Sequence, residues 1–294
     1  MDTRRWSNAF VYLFVIYISN KKMIVFSNAK INLGLWILKK RTDGYHDIST
    51  VFYPIPWKDI IEIIPIPHSF NEINIFNYGI PLNIPKECNI LYKTYHILKN
   101  YFGQIPAVQV YLYKNVPYGA GLGAGSANAA FFLKNYTQKF HLYLSDKELK
   151  GIAAQLGSDC VFFTVNIPSI ASGRGEVLHP LSVNLSGYFL WIVYPNIVVS
   201  TKETYAEVIP QNRTHSLKDI VQSDITRWKY ELENDFEKTV FKKYPRIAEI
   251  KEQMYKEGAI YSSMSGSGSA VFGLFKAKPP IHMYPEYRCF CMKI

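Results

Sequence analysis

Cysteine is scarce in this 294-residue chain, and what there is forms no pattern: Cys88, Cys160, Cys289 and Cys291 include no C-x-x-C spacing and have no histidine-rich run beside them. Neither a disulfide framework nor a structural zinc site is expected, and the thiols suit a reducing cytoplasm. Long apolar runs are also missing. The nearest to one, Ala9 to Ile18, follows Arg4-Arg5 but leads into Asn20-Lys-Lys22 instead of a small-residue cleavage site, and it is too short to span a bilayer. Residues 1–22 are therefore read as an extension or an upstream start ahead of Met23, and no membrane partner is expected. Acidic residues are outnumbered, 23 against 33 basic ones, for a net charge of +10. That balance attracts anions of every kind, from nucleic acid to phosphorylated metabolites. The lysines and arginines are nevertheless not clustered among aromatics, which argues against nucleic acid as the partner. No glycine-rich stretch ends in Gly-Lys-Ser/Thr, which speaks against a Walker-type nucleotide site. There is no internal repeat and no low-complexity linker.

What is present is a globular composition, 48% hydrophobic and 19% charged, long enough for one large or two medium domains. The chain is organised around Val116-Pro-Tyr-Gly-Ala-Gly-Leu-Gly-Ala-Gly-Ser-Ala-Asn-Ala-Ala130. Four alternating glycines leave the backbone bare just before a helical pattern opens at Ser126. Unpaired N–H groups and the positive end of the helix dipole make such a junction an anion site.

Upstream, Ile24 to Ser27, Ile31 to Leu38, Val51 to Tyr53, Asp59 to Ile66 and Asn71 to Tyr78 read as strands. Leu91, Tyr95, Leu98 and Phe102 mark a helix, and Val108 to Tyr113 alternates as a strand into the glycine loop. Ser145-Asp-Lys-Glu148 is a capping box, and Gly157 ends the helix it starts. Beyond Pro168 the pattern changes: Tyr188 to Tyr194 and Ile197 to Ser200 read as strands, Glu231 to Met254 as helix interrupted at Pro245, and Ser262 to Ser269 as a loop feeding the strand 270–275. The expectation is an α+β fold with one domain over 23–168 and a second over 169–294.

Chemistry enters when the distant motifs are taken together. A phosphate cradle at 119–126, a cation at Lys30 and a carboxylate at Asp159 are the parts that phosphoryl transfer needs. Each also has an ordinary reading: Lys30 as a solvated strand residue, Asp159 as a helix cap, Ser265-Gly-Ser-Gly268 as a hairpin turn.

Ala29-Lys-Ile-Asn-Leu-Gly34, Pro117 to Ala130 and Met264-Ser-Gly-Ser-Gly-Ser-Ala270, in this order, resemble the three signatures of the GHMP kinase superfamily. With Arg41-Thr-Asp-Gly-Tyr-His46, Leu156-Gly-Ser-Asp159 and Glu233-Asn-Asp-Phe236, the chain is similar to the branch whose acceptor is a cytidine-diphosphate-linked methylerythritol, over nearly all of 23–294. The resemblance implies a two-domain fold, with an N-terminal domain like a ribosomal-protein fold and a ferredoxin-like C-terminal domain. It implies a small-molecule kinase of the non-mevalonate isoprenoid route, using ATP and Mg²⁺ and working as a monomer or homodimer.

The resemblance further makes Asp159 the catalytic carboxylate and Lys30 its partner ammonium. Asn32, Gly266 and Gly268 fall at the acceptor, Tyr45 and Tyr205 as a stacking pair around the cytosine, and His46 at the base edge. Asn89, Lys114, Pro117, Gly119, Ala120, Gly121, Leu122, Gly123, Ala124, Gly125, Ser126 and Ala127 match the ATP site, with Ser126 also a Mg²⁺ ligand. Asn234-Asp235 serve either the site or the fold. Two positions depart from the pattern: Ala127, where many members carry a second serine, and Ser172, where an acid is common. Competing readings are another alcohol acceptor, such as mevalonate or homoserine, and a nucleic-acid-binding protein on a related fold.

Overall fold

A long antiparallel ribbon carries the N-terminal half. The computed structural model describes residues 22–66, 72–281 and 284–294, so the expected extension at 1–22 lies almost wholly outside the described residues. Strand β1 (Met23–Lys40) pairs with β2 (His46–Pro65) over nearly its full length, with register shifts between Asn28 and Lys30, Leu33 and Leu35, and Ile37 and Lys39. Two short strands expected in each segment are thus one bent strand each. The shifts bend the strands without ending them, as β-bulges do. On its other edge β2 pairs with β4 (Val108–Lys114) and, further along, with β5 (Ser169–Ser172); β3 (Ile73–Gly79) and β6 (Val177–Pro180) close the two ends of this six-stranded sheet.

Strands β5 and β6 therefore belong to the first sheet, and the changeover expected at 168 falls after Pro180. The smaller sheet is antiparallel in the order β10-β7-β9-β8, built from β7 (Phe189–Tyr194), β8 (Tyr261–Met264), β9 (Val271–Phe275) and β10 (Arg288–Lys293). Residues 262–264, expected in a loop, are strand. Val199 and Ser200, expected in a strand, lead into a helix.

Helices α1 (Ile90–Phe102), α2 (Ala124–Lys139), α3 (Asp146–Leu156) and α4 (Ser158–Val165) cover one face of the first sheet, burying Leu91, Leu98, Phe132, Leu133 and Ile152 against Val108, Val110 and Ile61. The Ser145–Glu148 capping box is formed in both directions. The second half adds α5 (Thr201–Glu207), α6 (Leu217–Gln222), α7 (Ile225–Glu231), α8 (Phe236–Lys243) and α9 (Pro245–Lys256), with Pro245 at the first turn, where its missing N–H costs nothing. One apolar cluster runs through both sheets, taking in Ile31, Leu33 and Trp57 together with Leu190, Ile192 and Phe272. Among the described residues no helix is long and apolar enough to cross a membrane.

Candidate active site

The glycine loop is fixed by its carbonyls. The Gly121 carbonyl accepts from Lys30 Nζ at 3.0 Å and from Ser265 Oγ at 2.8 Å, Leu122 O accepts the Lys30 amide at 3.0 Å, and Ala120 O accepts the Ala270 amide at 3.1 Å. A Cβ on Gly121 would lie 1.8 Å from Ser265 O, and its φ of +78° is open to glycine but strained for other residues. Gly123, at φ +68°, is the N-cap of α2 and makes no side-chain cap bond, so the helix's first turn presents its N–H groups unscreened. The helix expected after the glycine loop opens at Ala124 instead of Ser126.

Lys30 stands in the middle of β1 under this loop. Its Nζ donates to Asn32 Oδ1 at 2.6 Å, lies 3.4 Å from the Asp159 carboxylate and 5.1 Å from the centre of the Phe52 ring. Burial lowers its pKa, and the neighbouring Asp159 works in the opposite direction. Asn32 is itself oriented: its Nδ2 donates to Thr50 Oγ1 at 2.8 Å, and Thr50 donates to Gly34 O at 2.6 Å. Since the amide nitrogen faces Thr50, the oxygen must face Lys30. Thr50 carried no signal in the sequence, because a threonine in a strand is ordinary until the strand pairing places it opposite Leu35.

Asp159 sits in the first turn of α4 and caps nothing there; Gly157 is that helix's N-cap. It lies where two cavities meet. The inner one, about 350 Å³, is lined by Lys30, Asn32, Pro117, the loop residues Gly119, Ala120, Gly121, Gly123, Ala124, Gly125 and Ser126, and Gly266. The outer one, about 590 Å³, is lined by Tyr45, His46, Lys40, Lys202 and Tyr205, and both share Asp159, Arg174, Thr201 and Tyr205. His46 stacks on Tyr205 with ring centroids 5.2 Å apart, so the histidine forms part of the aromatic wall. Burial, helped by Lys40, lowers the His46 pKa and keeps the ring neutral at pH 7. Burial raises the Tyr205 phenol to about 12, with Asp159 adding to the effect, and the Cys160 thiol beside the site also to about 12. A larger hollow of about 770 Å³ beside Trp36 and Arg213 shares no residue with either cavity.

Five expected site residues do not line these cavities. Lys114 is buried against the Asp59 carboxylate, which also accepts the Asn115 and Val116 amides at 2.7 and 2.8 Å; the pair fastens the start of the glycine loop from below. Asn89 spends its side chain capping α1 through the Leu91 amide at 2.9 Å. Leu122 and Ala127 are buried, the latter among Phe52, Phe162 and Ala171, so a serine at 127 would point into an apolar cluster. Gly268 turns back on Met264, whose Sδ would lie 2.6 Å from an added Cβ. Ser126 lines the inner cavity, and its hydroxyl bonds the Cys160 thiol.

Asn234 and Asp235 fasten the second loop. Asn234 Nδ2 donates to the Met264 and Gly266 carbonyls at 2.7 and 2.8 Å, while Asp235 Oδ2 accepts the Ile37 amide at 2.8 Å and its other oxygen pairs with Arg213. Their part is to hold the Ser265–Gly268 turn onto β1.

Residues 89–166 match the N-terminal domain of GHMP kinases and residues 216–282 their C-terminal domain. A 4-diphosphocytidyl-2-C-methyl-D-erythritol kinase of Bacteroides fragilis is 46% identical over 271 residues, covering 92% of this chain and 98% of that protein. One from Cytophaga hutchinsonii is 48% identical over 258 residues, 87% of this chain and 94% of that protein. The crystal structure of a 4-(cytidine 5'-diphospho)-2C-methyl-D-erythritol kinase superposes with a TM-score of 0.73 at 28% identity, covering 92% of this chain and 98% of the other. The mevalonate kinase of Methanococcus jannaschii, at 14% identity and a TM-score of 0.67, shares the fold, with 93% and 99% of the chains covered. With two-thirds and more of the chain matched at well over 30% identity, this protein belongs to the GHMP kinases, in the family of 4-diphosphocytidyl-2-C-methyl-D-erythritol kinases.

Proposed function

We propose that the chain transfers the γ-phosphoryl group of ATP to the 2-hydroxyl of 4-diphosphocytidyl-2-C-methyl-D-erythritol, a step toward isoprenoid precursors. The observation that carries this reading is the position of Asp159, at the meeting of a glycine-walled cavity and an aromatic-walled one and 3.4 Å from Lys30. The inner cavity receives the triphosphate, with the first-turn amides of α2 toward its oxygens. In the outer cavity Tyr45 and Tyr205 flank a cytosine, and the neutral His46 meets its edge. The acceptor hydroxyl then lies beside Asp159, which takes its proton as the oxygen attacks phosphorus and the bond to the β-phosphate oxygen breaks.

Lys30, beside that carboxylate, opposes the charge growing on the transferred group, while Asn32 and Gly266 border the acceptor. General-base help of this kind is worth roughly 10²- to 10⁴-fold, and holding both reactants in one place contributes more. Among the described residues there is no cluster of three His, Cys, Asp or Glu to hold a resident metal. Ser126 and Asp159 bring oxygen donors to the inner cavity and would hold a Mg²⁺ carried in by the nucleotide. When bound, Mg²⁺ neutralises the β and γ oxygens.

Coupled ADP release tests the proposal on the chain starting at Met23. Turnover with the cytidylated methylerythritol, and none with mevalonate or homoserine, is the expected result. Preference for either smaller alcohol overturns it.

A further inference from the structure

Of the four residues shared by the two cavities, only Arg174 is a cation. The turn that carries it is fastened to β2 and to itself: Gly173 O accepts the Ile48 amide at 2.8 Å, Gly175 N donates to Ser172 O at 3.0 Å, and the Arg174 amide donates to Glu176 Oε2 at 2.6 Å. The guanidinium carbon lies 4.8 Å from the centre of the Tyr45 ring, and the closest carboxylate oxygen, Glu176 Oε1, is 3.8 Å from Nε, too far for a hydrogen bond. The head group is thus held at the seam by the Tyr45 face, with Glu176 as its ion-pair partner. Lys40 and Lys202 line the same outer cavity, against Asp159 as its single lining carboxylate.

Of these cations Arg174 is the one that lines both the aromatic-walled cavity and the glycine-walled one, as Asp159 does. Three cations against one carboxylate favour an anionic group in that cavity. We infer that Arg174 grips the diphosphate bridge of the acceptor, a phosphate contact separate from the base contact of the aromatic walls. Its planar fork matches two phosphate oxygens at once. Arg174 is thereby a specificity residue: it makes a nucleoside-diphosphate-linked alcohol a better acceptor than a neutral one. The inference rests on the acceptor proposed above.

Calorimetric binding of cytidine, CMP and CDP to the full chain separates the two. Wild type is expected to bind CDP more tightly than cytidine, and Arg174→Gln to bind CDP about 10- to 100-fold more weakly than wild type while leaving cytidine within about threefold, the range for losing a charge-assisted bond. In turnover, the KM for the cytidylated acceptor rises by a similar factor, kcat and the KM for ATP change little, and Arg174→Lys recovers part of the loss. A structural role would instead lower the melting temperature and move all constants together. If Arg174→Gln keeps the wild-type preference for CDP, or raises the KM for ATP alone, this inference falls and the functional reading stands. Wild-type protein that neither binds CDP nor turns over the acceptor overturns both.

Discussion

Lys30 Nζ and the Asp159 carboxylate stand 3.4 Å apart, yet only one of them meets solvent: their side chains are 4% and 34% exposed. The ammonium is a buried part of the floor, and the carboxylate is the part that opens onto both cavities. Asp159→Asn should keep the shape and remove the proton acceptor. A fall in kcat of about 10³-fold, with the KM for ATP changed less than about threefold, is the expected steady-state result. Substantial turnover by this variant would end the assignment of Asp159 as base.

Thr50→Val removes the hydroxyl that sets the Asn32 amide. Thr50 is fully buried, donates to Gly34 O and accepts from Asn32 Nδ2, so two groups lose a partner. Unfolding in urea should show a loss of about 1–3 kcal/mol, and kcat should drop more than the KM for either substrate. Thr50→Ser, which keeps the hydroxyl, should restore most of both.

Two alanines separate the loop's architecture from its anion binding. At Gly121 a Cβ meets the Ser265 carbonyl, and neither backbone can yield without breaking the bonds that join the loops. Gly121→Ala is expected to cost more than about 3 kcal/mol and to leave no active protein. Nothing lies within 4 Å of a Cβ on Gly125, in the first turn of α2. There alanine should add about 0.5–1 kcal/mol of stability while raising the KM for ATP, because the new methyl stands where the phosphates approach. Thermal melting and initial rates on the same preparations check both.

Acidification should act through His46. Its pKa in the folded chain is lowered from 6.5 by burial and by Lys40. Between that lowered value and 6.5 the unfolded chain holds a proton that the folded chain does not, so falling pH in this window favours unfolding. The KM for the cytidylated acceptor should be level from pH 7 upward and climb as the pH falls below histidine's ordinary 6.5, as the imidazolium loses its acceptor nitrogen and meets the Lys40 charge. His46→Gln should flatten that climb.

The parts of the site that could be read in the sequence are those made by neighbours along the chain. The glycine loop and the helix after it, the Ala29–Gly34 strand, the Ser145 capping box and the acid after Gly157 each declare themselves within a few residues. What escaped depends on pairings across strands. Lys114 resembles a phosphate-binding cation until β4 is laid beside β2 and Asp59 is found against it. Asn89 resembles a ligand contact until the helix it caps is seen to begin at Ile90. Thr50 and Arg174 belong to the site only because β1 and β5 flank the same stretch of β2. The boundary expected at Pro168 failed for the same reason, since the change of pattern there marks the return of β5 to the first sheet and not the end of that sheet.

The bond from Ser265 to the Gly121 carbonyl joins residues separated by 144 positions, and the Ala270 amide makes a second such link to Ala120. During synthesis, therefore, the phosphate cradle leaves the ribosome long before the segment that completes it. A nascent chain that has exposed the loop lacks the turn that fixes its carbonyls, the Asn234 clamp on that turn and the pocket wall at Gly266. A chain ended before Ser265 carries Lys30 and Asp159 but lacks the turn that fixes the glycine loop's carbonyls, and is expected to release no ADP.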